Sequence, residues 1–532
     1  MTEKRLVILV AAFTFFAFVI ELNMVYINVC GKYYDKAITQ QYREYEIDDS
    51  RGIITDINFN NITNTTAQYR TLVTGYDDDL QQVFNSLTER EKRSFEDNVK
   101  YNTAFIANID YPIEGRNIYK TTKRYSDFNI AQHLIGYTDG EGNGVSGLEN
   151  VFDAQLKNSA EIRYLQANIN GYRQIVDYTQ HKRVNNDTNA PMLLTLTIDN
   201  TIQRLCEGIA AEYIPNGSVV VMETKTGKIK AMVSTPFYNA NDVSAAMNKD
   251  NSPLLNKSLQ AYEPGSVIKP LWAAVLLENG YNPEKIYNCE GKIEINGHEY
   301  HCNNDKAHGP INMQQALVVS CNCYFINAHM KDKSALYYNT GNLLNFGESI
   351  ELAQGYFTTP GYFPTSEELN NLGQLASVSF GQGKFLLTPV HVAAYMNIFA
   401  NNGVYVKPQV AQGFYNANTK ELITNLYNLE ETQVVDKTTA SQVKLMLRSV
   451  VEEGAMSRAM PQFLSGGGKT GTAQSGRYDE NGKEILTAWF CGFYPYENPK
   501  YTICITMYNG GESTYTAAPL FKKICDSIYY IL

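Results

Sequence analysis

Residues 6–28 form the one long apolar stretch of the chain: LVILVAAFTFFAFVI, then Glu21, then a further mostly apolar segment. About 20 such residues in a helix cross a bilayer, so this segment is expected to be a membrane anchor. Lys4 and Arg5 precede it. That predicts a cytoplasmic N-terminus (residues 1–5) and an extracytoplasmic remainder, a single-pass protein of the cell membrane. No A-x-A-like site follows the apolar run, and Cys30 comes after the bulky Val29; both disfavour a removed leader. Glu21 is costly against lipid and is expected near an interface.

From 31 to 190 the pattern turns polar, with NNITNTT, YDDDLQQ and TEREKRSFEDN, the last an exposed helix. It changes again at 192–214: LLTLTI is strand-like, and IQRLCEGIAAEYI has apolar residues at helical spacing. SVVVMET and KIKAMVS flank Lys225-Thr226-Gly227, and AWFCGFYP and YTICITMY flank 497–500, two hairpin signals. The chain closes on a helical pattern, APLFKKICDSIYYIL. Strands from distant segments around a long helical middle predict an α+β fold, an antiparallel sheet covered by helices. A boundary near 190 is expected between a domain over 31–190 and one over 191–532.

At 532 residues there is length for two or three domains. The net charge of −10, with no basic block, argues against nucleic acid as a partner.

The candidate chemistry begins at EPGSVIKP, 263–270. Ser266 and Lys269, three residues apart, share one helical face, and Pro264-Gly265 mark the helix start. A serine there meets backbone N–H groups suited to an oxyanion. It becomes a nucleophile only with an adjacent base, and a lysine serves as one when burial leaves it neutral. Alone the pair is nondescript, since serine is also an ordinary helix cap. Ser320-Cys321-Asn322 follows a helical NMQQALVV, and Lys469-Thr470-Gly471-Thr472 precedes the AWFCGFYP strand. The ordered trio S-x-x-K, S-x-N, K-T-G is the signature of penicillin-binding proteins and serine β-lactamases.

The resemblance extends further. Arg51-Gly52-Ile53-Ile54-Thr55-Asp56, His133-Leu134-Ile135-Gly136-Tyr137, Gly147-Leu148-Glu149, Tyr262-Glu263-Pro264-Gly265-Ser266, the 379–383 segment SFGQG with Thr388-Pro389, and Ala488-Trp489-Phe490 are similar to motifs of class B penicillin-binding proteins. These are the monofunctional D,D-transpeptidases of peptidoglycan synthesis. The resemblance runs from about 50 to 510. It implies a penicillin-binding/serine β-lactamase-like transpeptidase domain behind an N-terminal pedestal and one transmembrane helix.

By that resemblance Ser266 attacks the penultimate D-Ala carbonyl of a stem peptide, with Lys269 taking its proton. Ser320 relays a proton to the leaving amine, Asn322 holds the substrate amide, and Lys469 steadies Ser320. Thr470, Gly471 and Thr472 line the carboxylate site, and the N–H groups of Ser266 and Thr472 form the oxyanion hole. The implied ligands are D-Ala-D-Ala stem peptides and β-lactams, and the implied partner is a SEDS-type membrane glycosyltransferase. No cofactor is required. A serine β-lactamase or D,D-carboxypeptidase differs only in what resolves the acyl-enzyme. A non-catalytic β-lactam sensor or scaffold is the alternative from another class; only about five residues precede the span, which leaves little for signalling.

The cysteines depart from that pattern. Nine are many for an exported chain. Cys289, Cys302, His308 and Cys321 follow C-x12-C-x5-H-x12-C, a donor set suited to tetrahedral structural Zn²⁺. His301, Asp305 and Cys323 are nearby substitutes. A Cys289–Cys302 disulfide or buried free thiols are the competing readings. Cys206, Cys491, Cys504 and Cys525 fall in helix or strand patterns and read as core.

Overall fold

The structure is a computed structural model that describes residues 3–29, 42–48, 51–87, 89–159, 161–170, 172, 174–184, 190–329 and 334–532. Cys30 lies outside the described residues. The N-terminal helix, Glu3–Val29, has a mean hydropathy of 2.3 over its most apolar window and buries none of it. At 1.5 Å per residue it is about 40 Å long, enough to cross a bilayer.

The rest of the chain does not divide once near 190. One compact unit comprises Met1–Arg51, Thr66–Lys123 and Asn158–Ala190; the other comprises Gly52–Thr65, Arg124–Lys157 and Pro191–Leu532. In the first, Tyr42–Asp48, Glu161–Ile169 and Ile175–Val184 make one antiparallel sheet, and Phe105–Ile109, Thr66–Val73 and Tyr119–Lys123 another. The charged helix expected over TEREKRSFEDN is Glu89–Lys100. It buries Phe95, while Arg93, Ser94, Glu96 and Asp97 are exposed.

The short returns into the second unit follow from pairing between distant segments. Ile53–Thr55 pairs in parallel with the strand Met192–Leu196. Asp56, fully buried, accepts from the backbone N–H groups of Asn58, Asn60 and Asn200. Glu149, also fully buried, accepts from Arg124 Nε at 2.7 Å and from the Tyr125 hydroxyl at 2.9 Å. Two motif carboxylates are thus buried with their hydrogen bonds satisfied.

The second unit is built on a five-stranded antiparallel sheet: β1 (Gly217–Glu223), β2 (Ile229–Thr235), β3 (Gly467–Tyr478), β4 (Glu484–Tyr494) and β5 (Tyr501–Tyr508), in the order β2-β1-β5-β4-β3. Both predicted hairpins form, β1 with β2 and β4 with β5. Successive side chains of a strand point to opposite faces. Val219 and Val221 accordingly join one core with α1 (Asn200–Tyr213), while Val220 and Met222 join the other. The second core holds α2 (Lys269–Glu278), α3 (Met313–Val318), α4 (Asn322–His329) and α5 (Pro389–Ala400). The C-terminal helix α6 (Ala517–Ile528) packs on the first face with α1. A sheet covered on both sides explains why its strands read as nearly continuous apolar runs. Cys206, Cys491, Cys504 and Cys525 are all buried in these cores.

Candidate active site and adjoining cysteine cluster

Three helix ends and one edge strand meet on the second core. Ser266 lies in a single 3-10 turn, Gly265–Ile268, and Lys269 opens α2. Gly265 takes φ +57, and its N–H donates to Gly381 O at 2.8 Å. A Cβ at Gly381 would stand 2.1 Å from Gly265 O, so the SFGQG segment is glycine where it passes under the turn.

Helix α3 ends by placing Ser320 at φ +55, in the left-handed region, while Cys321 N–H closes back on Ala316 O at 2.8 Å. Glycine usually occupies such a helix end. A serine there stores about 1 kcal/mol of strain, and it projects its hydroxyl between two lysines. Lys469 Nζ is 3.1 Å from Ser320 Oγ. Lys269 Nζ is 3.4 Å from the same oxygen, 2.8 Å from Ser320 O and 2.7 Å from Asn322 Oδ1. Asn322 Nδ2 in turn donates to His301 O at 2.9 Å. The half-buried Ser266 hydroxyl has no hydrogen-bond partner among the described residues.

Both lysines are fully buried. Burial pushes Lys269 down to about 8 against the pull of the Cys321, Cys302 and Cys323 sulfurs. Burial and then the charge of Lys269 push Lys469 well below the ordinary lysine range. Lys269, with its two short acceptors, is therefore the amine that keeps the proton in this state.

Strand β3 carries Lys469, Thr470, Gly471 and Thr472 along the sheet edge. Thr470 is buried and Thr472 exposed. Thr472 Oγ1 accepts from Ser513 N–H at 3.2 Å and lies 2.9 Å from Ser513 Oγ. Ser513 was not legible in the sequence: it sits in a loop before α6, with no spacing that ties it to the K-T-G run.

The cysteine cluster adjoins this site through the S-x-N segment. Cys289, Cys302, His308 and Cys321 offer donor atoms all within 4.8 Å of one another. The sulfurs of Cys289 and Cys302 are 3.7 Å apart, as are those of Cys302 and Cys321, and Cys289 Sγ is 3.4 Å from His308 Nδ1. Ligands at about 2.3 Å (sulfur) and 2.0–2.1 Å (nitrogen) around a tetrahedral ion are about 3.5–3.8 Å apart. The donor set therefore fits a tetrahedral metal. No disulfide occurs among the described cysteines. Hydrogen bonds from Cys321 and Cys323 hold Cys302 far below the usual thiol range, and sharing with Cys302 raises those two.

A sheet with helices on both faces, carrying a serine at a helical turn beside two buried lysines and an edge-strand K-T-G, is the architecture of penicillin-recognising serine proteins. The family description "Penicillin binding protein transpeptidase domain" matches residues 217–526. The chain belongs to this family, and within it to the class B penicillin-binding proteins. It is 26% identical over 404 residues to stage V sporulation protein D of Bacillus subtilis, covering 73% of this chain and 60% of that protein. It is 24% identical over 498 residues to the peptidoglycan D,D-transpeptidase MrdA of Acinetobacter baumannii, covering 81% of this chain and 69% of the relative. The match thus leaves a third or more of the first relative's length unspanned. A solved chain described under "Structural coordination of polymerization and crosslinking by a peptidoglycan synthase complex" has the same fold, with a TM-score of 0.72 at 20% identity over 99% of both chains.

Proposed function

We propose that this protein is a membrane-anchored serine D,D-transpeptidase that cross-links peptidoglycan stem peptides and is acylated by β-lactams. The observation that carries the reading is the Ser320 hydroxyl within 3.1 Å of Lys469 Nζ and 3.4 Å of Lys269 Nζ, a proton path beside Ser266. A donor stem peptide lies along the open edge of β3 as an added strand. Its terminal carboxylate meets Thr470 and Thr472, the latter aimed by Ser513. Lys269, pushed down to about 8 by burial, acts as the base in its neutral form, which grows with rising pH. Lys269 then takes the proton of Ser266 as its oxygen attacks the penultimate D-Ala carbonyl. The tetrahedral oxyanion sits between the N–H groups of Ser266 and Thr472. Ser320 passes a proton to the departing D-Ala nitrogen, the C–N bond breaks, and an acyl-ester remains on Ser266. The amine of an acceptor stem peptide repeats the steps in reverse and restores the hydroxyl. A β-lactam acylates Ser266 likewise.

Cys289, Cys302, His308 and Cys321 hold a structural Zn²⁺ in this reading. With no open position, the ion contributes rigidity to the segment bearing Ser320 and Asn322, not chemistry. The N-terminal helix anchors the chain with residues 1–5 in the cytoplasm. A SEDS-type glycosyltransferase is the proposed partner, in keeping with the synthase complex whose chain shares this fold.

Intact mass of the full-length protein in detergent with benzylpenicillin, beside Ser266→Ala, tests the reading. A single persistent adduct, absent from the variant, supports it. Rapid loss of the adduct with hydrolysed drug accumulating identifies a β-lactamase instead, and no adduct removes the nucleophile assignment.

A further inference from the structure

The cysteine cluster holds five donors for four tetrahedral positions. Cys323, fully buried on the first turn of α4, places its sulfur 3.4 Å from that of Cys302. It lies outside the mutually close set of four. Cys302 places its sulfur close to those of Cys289, Cys321 and Cys323, and Cys323 also bonds to Cys289. The acyl-transfer machinery makes no use of Cys323.

Of the four primary donors, His308 is the least enclosed. The three cysteines are buried, whereas His308 is half-buried and follows the exposed pair Lys306-Ala307. Its backbone is held, since the His308 N–H donates to Cys289 O at 3.2 Å and Gly309 pairs with Cys289 in a two-stranded ladder, so the group that can leave is the imidazole, by rotation of its side chain.

We propose that Cys323 is an exchange ligand of this centre. When His308 swings out, Cys323 takes the fourth position, and the pocket holds its ion through four thiolates instead of three thiolates and an imidazole. The inference rests on the metal reading made under the proposed function. Its chemical consequence is selectivity: a site that can assemble four thiolates accepts soft ions such as Cd²⁺ that favour sulfur over imidazole. Asn322, whose amide is held by His301 and Lys269, lies between Cys321 and Cys323, so either ligand set keeps this segment tied.

The test uses the full-length protein in detergent, stripped and reloaded with Co²⁺, with thiolate-to-cobalt charge-transfer absorbance read per bound ion. His308→Ala is expected to retain one Co²⁺ with a band about one third larger, four thiolates in place of three. Cys323→Ser is expected to keep the wild-type band. His308→Ala combined with Cys323→Ser is expected to bind at least tenfold more weakly than His308→Ala alone. Equal weakening of the single His308 variant and the double variant overturns the exchange. Wild-type protein that binds no Co²⁺ or Zn²⁺ overturns the metal reading and the exchange with it. Should His308→Ala fail to fold, Cd²⁺ titration decides. A thiolate-to-cadmium band in Cys323→Ser about three quarters of the wild-type one supports the exchange, and equal bands overturn it.

Discussion

Lys469 Nζ lies 3.1 Å from Ser320 Oγ, and that hydroxyl is also 3.4 Å from Lys269 Nζ. One strained serine thus bridges two buried amines that repel each other when both are charged. Lys269, pushed down to about 8 by burial, must be neutral to accept the Ser266 proton. The second-order rate of acylation by benzylpenicillin is therefore expected to rise about tenfold per pH unit below 8 and to level off above it. The sign follows from the base being the deprotonated form. A profile flat from pH 6 to 9 removes Lys269 from that role, and Lys269→Met is expected to slow acylation by about 10²–10⁴-fold.

Ser513 aims Thr472 through its N–H at 3.2 Å and its hydroxyl at 2.9 Å. Ser513→Ala removes only the hydroxyl. It is expected to weaken carboxylate recognition by about fivefold, the value of one ordinary hydrogen bond. The loss belongs in the apparent binding constant for the β-lactam and not in the limiting acylation rate. A substrate ester lacking the carboxylate should show no such difference between variant and wild type.

Gly381→Ala forces a Cβ to 2.1 Å from Gly265 O at φ +80. The turn bearing Ser266 must move, so thermal stability and acylation should fall together, by several degrees and at least tenfold. Gly142→Ala has the same φ of +80 but nothing within 4 Å. It carries only the backbone strain of about 1–2 kcal/mol, and its acylation rate should match wild type.

The buried Glu149 pairs with the partly buried Arg124 at 2.7 Å. Arg124→Met removes that cation from the buried carboxylate, which keeps the Tyr125 hydroxyl, and is expected to cost on the order of 3 kcal/mol. Arg124→Met combined with Glu149→Leu should recover part of that loss in thermal denaturation. Equal melting of single and double variants would mean that the pair is not what stabilises this segment.

Removal of metal by a chelator is expected to lower the first melting transition, since an ion at 1,000 times its Kd adds about 4 kcal/mol. Cys289→Ser combined with Cys302→Ser leaves three donors, so it should melt like the chelated protein and be indifferent to further chelation.

Much of the fold was readable because its determinants are local. The strand runs SVVVMET and YTICITMY, the helical spacing of IQRLCEGIAAEYI and the apolar run of the N-terminal helix are short-range patterns, and each became the element expected. The serine, lysine and threonine motifs were likewise local strings. The unit boundaries were not legible, because Ile53–Thr55 joins the second unit by pairing with Met192–Leu196, a contact that no local pattern records.

Sequence alone determined which side chains could perform the chemistry: a hydroxyl beside a lysine, a second hydroxyl with an amide, and a strand carrying Lys-Thr-Gly. Tertiary structure alone decided that Ser320 turns left-handed between two lysines, that burial lowers the hold of both lysines on a proton, and that Ser513 aims Thr472. It also decided that Cys323 joins a cluster whose other donors begin 34 residues away at Cys289. The reason is physical. Residue type and spacing set what a group can donate or accept, whereas desolvation and distance depend on every segment that packs around it.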